Sequence, residues 1–403
     1  MEPERRELSL YVHIPFCKAK CVYCDFLSFG GCGYDEQKQY TEALCREIET
    51  YRPFAKDYRI TTIFFGGGTP SYPDAGRIEQ IMQTIQDVFY VEPDAEITIE
   101  GNPDSLTKDK LFTYKKLGIN RLSIGLQSAN DKVLKRLGRV HNYDQFIAAY
   151  SNARQAGFAN INVDLMSGLP GEEEDSYIHT LAKVVKLQPE HISAYSLIVE
   201  EGTPLSENDK LLERLPTEEE DRQLYNKTKI LLKNSGYDRY EISNYAGMGY
   251  ECRHNIAYWT LKEYLGVGLG ASSRLDMYTE KNDLQTVRFH GIEDFKEYIG
   301  FFITLENDRY GSLEQLIASG YREQQISETK DQMEEFMFLG LRMMRGISKK
   351  EFFTRFHVDI ENVYGKIIEE YSKKQLLVNK GDRLYLSDEG IDVSNVVMAE
   401  FLL

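Results

Sequence analysis

An α/β fold with a C-terminal helical module is predicted for this 403-residue chain by three features of its sequence. Short β-rich runs alternate with longer helical stretches through the first half. That rhythm breaks after Glu200. Near the end, a helical stretch gives way to two short β-rich runs around a Lys-Gly-Asp turn.

The strand-like runs cover 8–14, 60–65, 96–100, 121–126, 160–165 and 191–198. They are rich in Ile, Val, Phe and Tyr, and most are bounded by Gly, Pro or Asn. In the first helical stretch Tyr40, Ala43, Leu44, Ile48 and Tyr51 recur at helical spacing. Others cover 74–90, 107–117, 130–156 and 173–187. Six strand–helix units in a row imply a parallel sheet with outer helices. Six is fewer than the eight of a closed barrel, which leaves a partial, open barrel or a doubly wound sheet. Thr217 with Glu220 makes a capping box and Gly236 supplies a stop, so 218–235 is a helix. The stretch 237–290 is mixed and rich in Tyr and Gly. From about 310 the pattern is helical, strongly apolar over 333–344. LLVN and RLYLS flank Lys380-Gly381-Asp382 as a hairpin. Helices followed by a hairpin resemble a winged-helix module. Its candidate helices, 348–374, carry six Lys/Arg and five Asp/Glu. That near balance argues against reading DNA and for a structural or partner-docking role. The expected division is 1–215 for the strand–helix units, 216–305 for a mixed extension and 306–403 for the C-terminal module.

Apolar residues make up 42% of the chain and charged residues 28%, which suits a soluble folded protein. The balance of 48 basic against 64 acidic residues gives a net charge of -16. Such a surface repels phosphate backbones, so general nucleic-acid binding is disfavoured. No apolar run reaches the roughly eighteen residues of a membrane span. The start, MEPERRELSLYVHIPFC, lacks the apolar stretch of a secretory signal. A cytoplasmic location is expected.

Six cysteines stand at 17, 21, 24, 32, 45 and 252. In a reducing compartment the clustering of the first three points to metal binding or redox chemistry rather than disulfides. Cys17, Cys21 and Cys24 form a C-x3-C-x2-C loop after the first strand. Three thiolates there can hold three irons of a [4Fe–4S] cube and leave the fourth iron open to a small molecule. The alternative is a zinc site with Cys32 or His13 as fourth ligand. The second feature is Phe64-Phe65-Gly66-Gly67-Gly68-Thr69-Pro70 after the second strand. Glycines there let a ligand approach the backbone, or simply make a tight turn. Glu100, Gln127 and Asp164 lie at or near the ends of the next three strands, where a parallel barrel gathers its functional groups.

The cysteine loop with GGGTP resembles the radical SAM superfamily. That resemblance implies a partial (β/α)6 barrel, a [4Fe–4S] cluster held by Cys17, Cys21 and Cys24, and S-adenosylmethionine chelating the open iron. YVHIPFCKAKCVYCDF, FFGGGTP, SIGLQS with LKRLGR, and VDLMSGLPG resemble the oxygen-independent coproporphyrinogen III oxidase group over about 8–205, and more loosely onward. By that likeness Tyr11, Tyr23, Gly67, Gly68, Thr69 and Glu100 contact S-adenosylmethionine. Gln127, Arg139 and Asp164 line the cofactor cleft.

Two departures matter. The oxidase has a fourth cysteine two residues after the third; here it is Phe26. The chain also contains Arg253-His254-Asn255-Ile256-Ala257-Tyr258-Trp259, whose HNxxYW resembles the heme-binding motif of the heme chaperone family HemW. The likeness makes His254, Asn255, Tyr258 and Trp259 heme-contacting candidates. An imidazole can serve as axial iron ligand, and His254 and Tyr258 share a helix face. Trp259, the only Trp, would lie against the porphyrin, and Cys252 is a further thiolate candidate. The plain alternative is a packed aromatic corner with a satisfied histidine. The remaining histidines read as structural or exposed. The expected function is a heme chaperone that delivers heme to acceptor heme proteins such as respiratory enzymes, with the cluster and cofactor gating dimerisation into a homodimer, or transfer. The competing function is oxidative decarboxylation of coproporphyrinogen III.

Overall fold

Polar and apolar residues alternate along each predicted strand, and the fold uses that alternation to build two unlike faces. The computed structural model describes residues 5–278, 284–305, 313–320 and 323–403. Its six leading strands are β1 (Arg6–Ile14), β2 (Tyr58–Gly67), β3 (Tyr90–Gly101), β4 (Arg121–Gln127), β5 (Ile161–Ser167) and β6 (His191–Ser196). Leu10 and Val12 on β1, Leu122 and Ile124 on β4, and Val163 and Leu165 on β5 are fully buried. They join one hydrophobic cluster with helix residues such as Leu44, Ile48, Ile81 and Ile85. The intervening residues, Tyr11 and His13, Glu96 and Glu100, Arg121 and Ser123, Asn162 and Asp164, form a polar interior.

All six strands pair in parallel and in sequence order. A doubly wound sheet requires a reversal of strand order, and there is none. The fold is the partial barrel. The mixed stretch extends both of its edges. Beyond β6 lie Asn244–Ala246 and Asp238–Arg239, both antiparallel. Beyond β1 lies Tyr264–Val267, parallel, followed by antiparallel Ser272–Tyr278, Leu284–His290 and Glu323–Ile326. The chain therefore passes from one edge of the barrel to the other between 246 and 264, and the Arg253–Trp259 helix lies on that crossing.

The expected helix over 130–156 is two helices, Asp131–Arg136 and Tyr143–Gln155. Gly138, at φ 74°, turns the chain between them. Asn142 then restarts it with a capping box to Gln145. The break has a function: it drops Arg139 toward the barrel mouth. The helix expected at 218–235 is Glu218–Asn234 with the predicted Thr217–Glu220 box.

A second core holds the C-terminal module, with Phe336, Met337, Phe352, Tyr364 and Leu384 among its buried residues. Helices Thr329–Gly340, Lys349–Phe356 and Ile360–Lys373 precede the hairpin Leu377–Lys380 and Arg383–Leu386, which pairs with Ile347–Ser348. Of the helical rhythm expected from about 310, residues 310–312 and 321–322 lie outside the described residues, Leu313–Gly320 is helical, and Glu323–Ile326 is instead a strand, paired along the Leu284–His290 edge. Among the described residues no helix is long and apolar enough to cross a membrane.

Candidate functional site

The cysteine loop follows β1 and closes on its own first residues. Phe16–Cys17 pairs in parallel with Phe29–Gly30, and the loop is tied further by Val22 N–H to Leu137 O and Leu205 N–H to Val22 O. Inside it, Lys20 Nζ donates to Phe26 O at 2.9 Å. His13 holds the loop from below. Its Nε2–H donates to Leu27 O at 2.9 Å, which leaves Nδ1 to accept the Tyr11 hydroxyl at 3.0 Å. Burial keeps this imidazole neutral by lowering its pKa.

The loop walls a cavity of about 360 Å³ at the C-terminal ends of the strands. Of the cluster and cofactor candidates named from sequence, every one except Tyr11 lines it. Tyr11 is half-buried behind, against Phe64 and His13. Thr69 Oγ1 donates to Cys17 Sγ at 3.5 Å, and Arg139 Nη1 reaches Cys21 Sγ at 3.7 Å. Arg139 Nη2 is fixed by Asn102 Oδ1 at 2.7 Å and Gly125 O at 2.5 Å. Gly125 gives this arrangement room: a Cβ there would lie 3.2 Å from that same Arg139 nitrogen and 3.1 Å from Gln127 Nε2, so both side chains would have to shift.

The glycine turn lines the cavity and also packs closely against the protein. Gly67, at φ +111°, gives way to the protein rather than only to a ligand, since a Cβ there would sit 2.6 Å from the His13 ring. At Gly68 a Cβ would meet Phe16 O at 2.8 Å. Gly67 lets β2 close onto His13 of β1, and Gly68 lets it close onto the start of the cysteine loop.

Burial, reinforced by the neighbouring Asp164 charge, pushes the Glu100 carboxyl up to about 8. Asp164 is raised by burial too, against the hydrogen bonds of Ser123 at 2.9 Å and Asn162 at 2.7 Å. Two carboxyls facing one cavity thus share a poorly solvated floor.

At the opposite end of the interior lies the HNxxYW helix. Glu96 on β3 caps it, accepting Arg253 N–H and His254 N–H. His254 is 1% exposed. Its Nδ1 bonds Thr62 Oγ1 at 2.8 Å and its Nε2 bonds the Tyr258 hydroxyl at 2.9 Å, while its ring stacks on Phe64. Neither nitrogen is open in this arrangement. Burial, with the Arg121 charge, lowers its pKa to about 3. Asn255 is half-buried on the same short helix. Trp259 faces the C-terminal module with Arg342 stacked over it at 4.4 Å. Cys252 makes a poor thiolate ligand: it is fully buried, donates to Glu96, and burial pushes its thiol up to about 12.

Sequence reasoning missed Asn102, Glu96 and Arg121, and weighed His13 only as a zinc ligand. The signal of His13, Glu96 and Arg121 was a polar side chain at alternate positions of otherwise apolar strands, whereas Asn102, in the turn after β3, carried none.

The radical SAM superfamily model matches residues 11–184, and the model for the HemN C-terminal domain matches 328–393. The heme chaperone HemW of Bacillus subtilis is 35% identical over 407 residues, covering 98% of this chain and 99% of its own. That of Lactococcus lactis is 32% identical, at 98% and 97%. The chain belongs to the HemW family. The coproporphyrinogen III oxidase HemN of Escherichia coli superposes with a TM-score of 0.80 over 99% of this chain and 90% of that one. At 22% identity this likeness establishes the fold.

HemW proteins are radical SAM proteins, and that superfamily implies a [4Fe–4S] cluster and S-adenosylmethionine. The cavity fits them. Among the described residues no three His, Cys, Asp or Glu side chains converge on a point that would hold one metal ion. Cys17, Cys21 and Cys24 all line the cavity, and soft thiolates suit the irons of a cluster. Glu100 lines the same space, where its carboxyl can accept hydrogen bonds from ligand hydroxyls.

Proposed function

We propose that this protein is a heme chaperone: it binds heme and hands it to acceptor heme proteins, with respiratory enzymes as the expected kind. The observation that carries this reading is similarity to heme chaperones along the whole chain at 32–35% identity. Phe26 supports it. At the position where the oxidase group has a cysteine, this chain places a phenylalanine that is 64% exposed at the cavity rim.

In this reading Cys17, Cys21 and Cys24 hold the cluster. Tyr23, Gly67, Gly68, Thr69 and Glu100 take S-adenosylmethionine, with Gln127, Arg139 and Asp164 around it. Tyr11 contributes from behind, through His13. When bound, the cluster and S-adenosylmethionine supply one-electron chemistry or, here, a gate for dimerisation or heme transfer. Residues 1–215 carry this part, 216–305 the heme segment and 306–403 a docking module, in a cytoplasmic protein that works as a homodimer.

Heme is taken by His254, Asn255, Tyr258 and Trp259. His254 ligates iron through Nε2 once the Tyr258 hydroxyl leaves it. Nδ1–H stays on Thr62, and such a bond at the far ring nitrogen commonly orients a ligating histidine. Trp259 turns from Arg342 toward the porphyrin.

The test is anaerobic reconstitution with iron and sulfide, followed by parallel assays on one sample. A Soret band near one equivalent of heme, without decarboxylated product from coproporphyrinogen III, supports the chaperone. Robust conversion of coproporphyrinogen III would instead assign the oxidase reaction.

A further inference from the structure

Between the cavity and the HNxxYW helix runs an unbroken line of hydrogen bonds. Asp164, on the cavity wall, accepts Asn162 Nδ2–H at 2.7 Å. Because the Asn162 amide nitrogen also donates to Ser123, its Oδ1 is the acceptor toward His191 Nδ1, at 2.7 Å. His191 is fully buried, and burial, with the Arg121 charge, holds it neutral. Its Nδ1 therefore carries the proton, and its Nε2 accepts the Tyr240 hydroxyl at 2.9 Å. The Tyr240 oxygen in turn accepts Cys252 N–H at 3.2 Å. Cys252 is the N-cap of the Arg253–Trp259 helix. Every donor in the line points the same way, from the helix toward the cavity, so a change of partner at Asp164 is felt by each bond in turn.

The line has little structural necessity. The same helix end is already capped by Glu96 through two backbone N–H groups and the Cys252 thiol. Three neutral polar side chains are held in the barrel interior where apolar ones would pack at less cost. Arg121, 2% exposed, lies among them, facing Cys252, Glu96, Tyr240 and Asp164.

We propose that Tyr240 is a positioning residue that couples occupation of the cavity by S-adenosylmethionine to the HNxxYW helix, through His191 and Asn162. The proposal rests on the reading of the cavity as the cofactor site and needs no heme for its test.

The experiment is hydrogen–deuterium exchange of the peptide spanning 252–259 in reconstituted full-length protein, with and without S-adenosylmethionine. In the natural chain the cofactor should change the exchange rate about fivefold or more, the lower range of ordinary coupling between sites. Tyr240→Phe removes one hydroxyl and keeps the ring. It should retain iron content and S-adenosylmethionine affinity while losing the cofactor-dependent change. Ser193→Ala, a side branch bonded to Asn162 at 3.2 Å, should keep it. If Tyr240→Phe does not fold, His191→Phe breaks the same line with a ring of similar size. An undiminished response in whichever variant folds, or no response in the natural chain despite bound cofactor, overturns the coupling. Failure of S-adenosylmethionine to bind at all overturns the cofactor reading with it, whereas a chain that fails to bind heme leaves this result standing.

Discussion

Glu96 Oε2 accepts the backbone N–H of Arg253 and Glu96 Oε1 that of His254, both at 3.1 Å. A carboxylate from the third barrel strand thereby caps a seven-residue helix whose own N-cap, Cys252, makes no side-chain capping bond. Helix N-termini favour negative charge, and an isolated helix of this length would not persist in water. Glu96→Ala should cost about 1–3 kcal/mol, because it strands buried donors. Glu96→Gln keeps an acceptor and should cost less. Urea unfolding at constant m-value measures both, and equal stability of all three chains would contradict the capping role.

The same contact marks where sequence reading stops. Strands, faces and helix 218–234 were legible because period-2 and period-3.6 patterns and capping boxes are local. Strand order was not, since alternation tells which face a residue takes but not which neighbour it meets. Glu96 and His254 are 158 positions apart, and nothing local in either says that they touch. The split of 130–156 was hidden because Val133, Leu137, Val140 and Ile147 keep a helical apolar spacing across the Gly138 turn. The cavity was largely legible because its residues come in contiguous motifs at strand ends. The packed state of His254 had been an open alternative, and only Thr62, from another strand, completes it.

Replacing Cys17, Cys21 or Cys24 by Ala should abolish the cluster. Cys32→Ala and Cys45→Ala should keep it, since neither lines the cavity and burial pushes the Cys45 thiol up to about 11. Reconstituted protein should hold about four irons per chain, measured with acid-labile sulfide. Stoichiometric zinc without iron uptake would rule the cluster out.

Gly67→Val should damage the site through His13 rather than by filling the cavity. The added Cβ falls on the imidazole that fastens Leu27, and the φ of +111° is itself unfavourable for a branched residue. A loss of stability of about 2–4 kcal/mol is expected, from strain and overpacking together. Gly118→Ala, also at positive φ but with open space around it, should cost only about 1 kcal/mol. Comparable losses at the two positions would remove the His13 contact from the explanation.

Glu100 gives the free protein a pH signature. Its folded pKa, about 8, lies above its unfolded value, so the folded state binds the extra proton. Stability from this group is full below the unfolded pKa and declines as pH rises toward 8. Glu100→Gln should therefore be more stable than the natural chain at pH 7.5, by up to about 4 kcal/mol, and no more stable at pH 4.5. It should also weaken S-adenosylmethionine binding with iron content unchanged. Denaturant curves across that range check the first point and equilibrium dialysis the second. A stability difference independent of pH would show that Glu100 does not titrate in this way.

His254 decides the heme assignment. With its pKa lowered to about 3, the imidazole is neutral throughout the physiological range, so protons do not compete with iron for Nε2. The Soret band of the heme-loaded protein should therefore hold its position from pH 5 to 8, where an exposed histidine would titrate near 6.5. In the heme-free chain the same burial makes the folded state bind fewer protons than the unfolded state. Its contribution to stability is present above about 6.5 and is lost as pH falls toward 3. Tyr258→Phe removes the hydroxyl that occupies Nε2 and should tighten ligation by about 2- to 10-fold, the worth of one hydrogen bond. Thr62→Val keeps the shape but removes the partner of Nδ1 and should weaken ligation by about 10-fold or more. His254→Ala should shift the band and lower affinity further, while Cys24→Ala should leave heme binding intact, because its loop lies at the other end of the barrel. If His254→Ala and Thr62→Val both leave the spectrum and affinity as they were, His254 is a packing residue and the heme iron is held elsewhere.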